Sequence, residues 1–187
     1  MARCLMSFFA MAALSGCFTS GGPEPVKWTV NAVALKTSAA SARAETVRIS
    51  HLAVRPPFDS RSLTVLRSDG SVAFDYYNQF ALAPSVLLMP VALDMLCASG
   101  KFKAVLPSSS SARADFAVEI SVDRFALDCR GNGVRKAVVA VTVRAVRDRA
   151  LVMTVKGEAE KAADDGRYTA AFSEAFAEAL LSAVSGM

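Results

Sequence analysis

The sequence holds one histidine and one tryptophan, and it has little excess of either charge: 21 Lys and Arg stand against 17 Asp and Glu, a net of +4 over 187 residues. Each scarcity closes off a class of function. His51 has no second histidine, so it lacks the partners that an acid–base or Ser-His-Asp relay would need, and an edge or surface position in a strand is its default. No G-x-S-x-G, H-E-x-x-H or phosphate-loop motif occurs. Asp164-Asp165-Gly166 reads as a turn, short of the alternating oxygen ligands that calcium requires. An enzyme is not expected, and neither is a metal or a dissociable cofactor. The positive charge is dispersed, Arg144, Arg147 and Arg149 forming its densest group, which is not the basic stripe with interleaved aromatics of a nucleic-acid surface. A weak attraction to anionic head groups is the most it implies. There is no internal repeat. The apolar run at the front, Cys4 to Leu14, would reach only ~16 Å as a helix, about half the hydrocarbon thickness of a bilayer, and cannot span it.

That run is nevertheless informative. Arg3 precedes it and the small residues Ser15 and Gly16 follow it, the order of a secretory signal peptide. Leu14-Ser15-Gly16-Cys17 then resembles the lipobox of bacterial lipoproteins, in which cleavage falls before a cysteine whose thiol carries a diacylglycerol. Small residues suit a peptidase site entered by extended backbone, and the thiol is the nucleophile that takes the lipid. A plain signal peptide with an incidental cysteine, or a start codon set too early, would give the same letters. On the lipoprotein reading residues 1–16 are removed, Cys17 is acylated, and the mature chain of 187 − 16 = 171 residues is the size of one domain. With Arg3 gone its balance is 20 basic to 17 acidic, about +3. The acyl chains bury CH₂ groups at ~0.8 kcal/mol each, which anchors without a spanning helix.

Residues 17–26 form the lipidated N-terminus and a tether rich in Gly, Pro and Ser, and residues 27–187 form a single domain. Lys27–Leu35 reads as a first strand and Thr46–Arg55 as a second, stopped by Pro56-Pro57. Ser68-Asp69-Gly70 sits between β-branched and aromatic runs, a hairpin signal. A helix follows from Pro84 towards Gly100, then a short strand in "FKAVLP". The clearest alternation is "FAVEISV": Phe116, Val118, Ile120 and Val122 point one way, Ala117, Glu119 and Ser121 the other. Two further strands, "KAVVAVTVRAVRD" and "ALVMTVKGEAEK", meet near Asp148-Arg149, and Gly131-Asn132-Gly133 marks the turn before them. The last segment is a helix with Phe172, Phe176, Leu180 and Val184 recurring every four residues and Glu174, Glu178 and Ser182 on another face. The order β-β-β-β-α-β-β-β-β-α predicts an α/β (α+β) domain: a mixed, largely antiparallel sheet with about two main helices packed on it.

Two features invite more than one reading. Cys97 and Cys129 are an even pair in an exported domain, open to a disulfide or to two buried thiols. The helix after Pro84 has Asp94 as its one charge between Val86 and Ala98 and carries Pro90 inside. It is either a central core helix or the bearer of an apolar surface for lipid or a partner, built from Val86, Leu87, Met89, Leu93 and Leu96.

From Trp28 to the C-terminus the chain resembles the ABC-type transport auxiliary lipoproteins, partners of Mce-type intermembrane lipid transporters such as the paraquat-inducible Pqi system. The carriers are "VRISHLAVRPPFDSRSLTVLRSDGSVAFDYYNQFA", the helix ending in "LCASGKFKAVLP", "ADFAVEISVDRFALD", "AVVAVTVRAVRD" and the Ala-rich terminal helix. "YYNQFALAP" stands where the family tends to place an Asn-Arg-Trp-Ala-Glu-Pro-Pro-like segment, with Phe80 in place of its Trp. The resemblance implies a non-catalytic periplasmic component. It would serve an inner-membrane ATPase, a permease and an Mce-domain subunit that move phospholipid or a similar hydrophobic solute. Lipid binding and a homo-oligomer stay open under it, and nucleic acid has no place. Phe18 after the lipidated cysteine is not the Asp that favours inner-membrane retention, so the outer membrane is favoured. An outer-membrane adaptor that binds a protein and no lipid is the alternative.

Overall fold

The computed structural model describes residues 22–33, 44–131, 133–163 and 167–187. The signal-peptide and lipobox residues, Cys17 among them, the first part of the tether and the Asp164–Gly166 turn lie outside these. Ten elements follow in the expected order: β1 Val26–Trp28, β2 Thr46–Val54, β3 Ser62–Leu66, β4 Val72–Phe80, α1 Pro84–Ala98, β5 Ala104–Leu106, β6 Phe116–Asp128, β7 Lys136–Arg147, β8 Ala150–Ala162 and α2 Tyr168–Ser185.

The long strand β6 organises the sheet. One of its edges pairs with β7 along its whole length, and β8 continues outward from β7. Its other edge is shared. Val47–Val54 of β2 runs along Phe116–Val122, and Val65 and Leu66 of β3 lie against Leu127 and Asp128. The Pro56-Pro57 connection interrupts β2 without turning the chain back, so β2 and β3 follow β6 in the same direction. β5 adds to β2 in parallel, β4 returns antiparallel to β3, and β1 adds to β4 in parallel. The sheet is therefore mixed, as the sequence predicts, but it is not the largely antiparallel one expected. β1–β4, β2–β5, β2–β6 and β3–β6 are parallel, and only β3–β4, β6–β7 and β7–β8 are antiparallel. Hairpins announce themselves through adjacent turn residues, whereas parallel pairs join distant segments and leave no local mark.

The alternation in β6 holds as far as Val122 and then inverts. A bulge between Val122 and Arg124 lets Val118, Ile120 and Val122 share the core with Phe125 and Leu127. β2 has the same device between Ile49 and His51, which keeps Val47, Ile49, Leu52 and Val54 all inward. Of the predicted first strand Lys27–Leu35, only Lys27 and Trp28 are strand, in β1, because the chain leaves the sheet after Trp28; Ala34 and Leu35 lie outside the described residues. Val30 is buried there, and the Asn31 N–H donates to Ser173 Oγ on α2 at 2.9 Å.

Both helices cover one face. α1 packs on β2 and β5, α2 on β7 and β8, and the two touch each other. α2 inserts Phe172, Phe176, Leu180 and Val184, all buried, and Phe172 meets Phe125 and Phe80 at ring-centroid distances of 4.7 and 5.5 Å. Beside that row runs a second with period four, Ala171, Ala175, Ala179 and Ala183, also buried, which lets the helix lie close to the sheet. At Gly157 of β8 the approach is so near that an added Cβ would stand 1.9 Å from the Ala179 carbonyl oxygen. The two-residue β7–β8 turn puts Asp148 and Arg149 at φ 50° and 66°, the left-handed pair of a type I′ hairpin.

Candidate functional site

The apolar surface predicted on α1 is only partly a surface. Val86 is 57% exposed, while Leu87, Met89 and Leu93 are half-buried against the core. Leu96, at 1% exposure, belongs to the core, which corrects its place among the surface residues. The outward stripe is Val86, Pro90, Asp94 and Cys97, spaced three or four apart. Pro90 therefore stands on the solvent side of a helix that continues through it. Of the two readings of the cysteine pair, the structure has free thiols, with Cys97 exposed on α1 and Cys129 half-buried just past β6. Burial pushes the Cys129 thiol above its ordinary pKa, with Arg135 opposing and Asp128 adding to the effect. The thiol stays protonated and behaves as a small apolar wall. His51 is exposed on β2 opposite Glu119, and no group of His, Cys, Asp and Glu among the described residues could hold a metal ion.

The sheet face away from the helices carries a polar groove of about 320 Å³ built around the β6 bulge. Asp123 accepts from Ser121 Oγ at 2.9 Å and from Thr142 Oγ1, and it pairs with Arg55 at 2.9 Å. Three partners leave this carboxylate committed to holding the bulge, with little left for a ligand.

The more distinctive site is a cleft of about 490 Å³ where β4, the end of β6 and the start of α2 converge. Val65, Leu127, Cys129 and Tyr168 give it an apolar floor, and Arg67 and Arg135 stand on its rim. Its outer wall is a wide irregularity in β4. Leu63 faces Asp75 and Ser62 faces Gln79, so Tyr76, Tyr77 and Asn78 have no opposite number on β3 and bulge outward. Asp75 holds the bulge as an Asx-type turn. Its Oδ1 accepts from the Tyr77 N–H at 2.9 Å and the Asn78 N–H at 3.2 Å, and its Oδ2 accepts from Asn78 Nδ2 at 2.8 Å. Gln79 Nε2 adds a bond to the Tyr76 carbonyl at 3.0 Å. Behind the bulge the indole of Trp28 donates to Asn78 Oδ1 at 3.0 Å and packs edge-on against Tyr168, whose hydroxyl accepts from Arg135 at 3.3 Å. The result is a fixed scaffold that leaves Phe74, Tyr76 and Tyr77 exposed at 53, 65 and 52%. The sequence pattern alone predicts a plain strand here. The available signal was Asp75 followed by Asn78, an Asx-turn pair placed among aromatics. Chemically the cleft offers apolar patches, two guanidiniums, the Asp75 carboxylate and hydroxyl-bearing rings, a mixed lining that suits an amphiphile.

No family model matches the sequence, and no curated protein matches it. Among solved structures, a Xanthomonas campestris protein of family DUF330 shares the fold at a TM-score of 0.62 and 19% identity, covering 87% of this chain and 89% of its own. An uncharacterized protein shares it at 0.60 and 12% identity, over 81% and 92% of the two chains. A Neisseria meningitidis lipoprotein, GNA1162, overlaps over 66% of this chain and 89% of its own at 10% identity and a TM-score of 0.35. Among the described residues no helix is long and apolar enough to cross a membrane.

Proposed function

We propose that the chain is a lipid-anchored, non-catalytic subunit of an ABC-type, Mce-associated transport system that moves phospholipid or a similar hydrophobic solute through the envelope. The observation that carries the reading is Leu14-Ser15-Gly16-Cys17 behind a run too short to span, followed by a domain whose segments from Trp28 onward resemble those of the auxiliary lipoproteins. The cleft supports it, because an apolar floor with Arg67 and Arg135 at the rim matches the two ends of a phospholipid. The work of ATP hydrolysis belongs to another subunit. The mature protein resides in the periplasm, and Phe18 favours the outer membrane over the inner.

Purification of the tagged full-length protein from its own membranes tests this. Recovery of an Mce-domain subunit, with permease and ATPase, and of phospholipid by mass spectrometry is expected. A second reading, an adaptor that docks a protein, is favoured by the exposed α1 stripe around Val86. Recovery of a single partner unrelated to transport, without lipid, would select it.

A further inference from the structure

We infer that the Tyr76–Tyr77 bulge of β4 is a second, non-covalent membrane contact, seating the mouth of the cleft on an anionic bilayer surface. The inference rests on the anchored reading above and adds to it an orientation for the domain.

Three independent features meet at this place. The first is chemical. Tyrosine rings divide between an apolar body and a polar hydroxyl, the property that places them at the level of lipid head groups. Tyr76 and Tyr77, at 65 and 52% exposure, stack edge-to-face at 5.5 Å, and Phe74 stands beside them on the same cleft. Asp75 already fixes the backbone that presents these rings, so docking has only their side chains left to order. The second is electrostatic. Arg67 and Arg135 border the same opening. Asp75 lines the same cleft and Asp69 lies close to Arg67, so each offsets part of that positive charge. Each basic residue near an anionic leaflet is attracted to it. The third is the path of the chain. β1 runs parallel to β4 with Val26 opposite Asn78, so the chain enters the sheet beside the bulge. Nine peptide units separate Val26 from Cys17 and can span at most ~30 Å. An acyl group on Cys17 therefore keeps the bilayer within one short tether of the bulge.

The test uses the mature protein purified from membranes and reconstituted into vesicles of phosphatidylethanolamine and phosphatidylglycerol. Trp28 is the sole tryptophan and lies directly behind the bulge, so its emission reports proximity to spin labels carried on the lipid head groups. Wild-type emission falls on labelled vesicles, high salt partly restores it, and the Tyr76→Ser/Tyr77→Ser variant lowers the ratio of docked to undocked protein about tenfold, 1.4 kcal/mol. Arg67→Gln reproduces the salt effect alone. Equal quenching of wild type and the double variant overturns the inference. So does an unquenched wild type whose tyrosines become protected only when an Mce-domain subunit is added, which would assign the patch to a protein. Intact mass of the same sample separates this from failure of the anchor. Should Cys17 prove unacylated, the contact is read by flotation with the same vesicles: flotation lost in the double variant upholds it, and no flotation of the wild type ends it.

Discussion

Replacing Gly157 with alanine is the sharpest perturbation of how this domain is put together. The added Cβ would meet the Ala179 carbonyl oxygen at 1.9 Å, the Ala179 carbonyl carbon at 2.9 Å and the Ala183 nitrogen at 2.9 Å. All three are backbone atoms of α2, so no side-chain rotation relieves the clash. To restore a contact of about 3.5 Å, α2 and β8 must part by roughly 1.6 Å. That separation would draw Phe172, Phe176, Leu180 and Val184 out of the core in which they are buried. A radial gap of about 0.5–1 Å already forfeits a quarter to a half of the dispersion attraction, and overpacking alone costs about 1–3 kcal/mol. The expected loss is about 3 kcal/mol or more, and at ~2–4 °C per kcal/mol for a domain this size the melting temperature falls by about 6–12 °C. Circular dichroism melts and urea titrations with unchanged slope provide the measurement. Adding Ala179→Gly does not rescue the variant, because the obstruction is the main chain and not the Ala179 methyl. A Gly157→Ala protein that melts with the wild type, or a rescue by Ala179→Gly, would refute the close helix–sheet contact.

Other expectations are smaller. Arg149→Gly removes a side chain held at φ 66° and should stabilise by about 0.5–1 kcal/mol, raising the melting temperature by ~1–4 °C; a lower melting temperature would contradict the turn. Asp59→Ala strips the acceptor of the Ser85 N–H at 2.8 Å and of its hydroxyl at 2.9 Å, where α1 begins, and should cost about 1 kcal/mol with faster hydrogen exchange in the first turn of α1. Arg130, donating to Asp128, holds that carboxyl below its ordinary pKa. A depressed folded pKa gives stability that is complete above the unfolded value and lost as pH falls through the folded one. Because Arg130 is half-exposed, Asp128→Asn should flatten the acid limb of stability below about pH 4 by less than ~1 kcal/mol, and an unchanged limb would argue against the pair.

How much of this could be read in advance depends on the range of the interaction. The ten elements and their order follow from periodicity and turn residues, and the core row of α2 is visible as Phe172, Phe176, Leu180 and Val184. What pairs with what is not visible. β2 and β3 share one edge of β6, and β5 reaches β2 across 50 or more residues, through hydrogen bonds that any sequence can make. The two bulges that invert the inward face, at Ser50 and Asp123, carry no turn signature, and a one-residue shift flips every later side chain. Leu96 and Val86 look alike on paper, and only the packing of α1 on β2 and β5 separates a core residue from an exposed one. Cys97 and Cys129 show the same limit, since an even count of cysteines says nothing of the distance between them. The cleft was the least legible part. Its floor is assembled from β3, β6 and α2, and its aromatic wall depends on three residues of β4 that lack a partner on β3.

The whole account stands on the first mature residue. Intact-mass spectrometry of the protein taken from membranes measures it directly. The account predicts a chain that begins at Cys17 and carries the added mass of a diacylglyceryl thioether, with Cys17→Ala released from the membrane fraction. A chain that retains residues 1–16, or one that begins elsewhere and bears no acyl group, would contradict it.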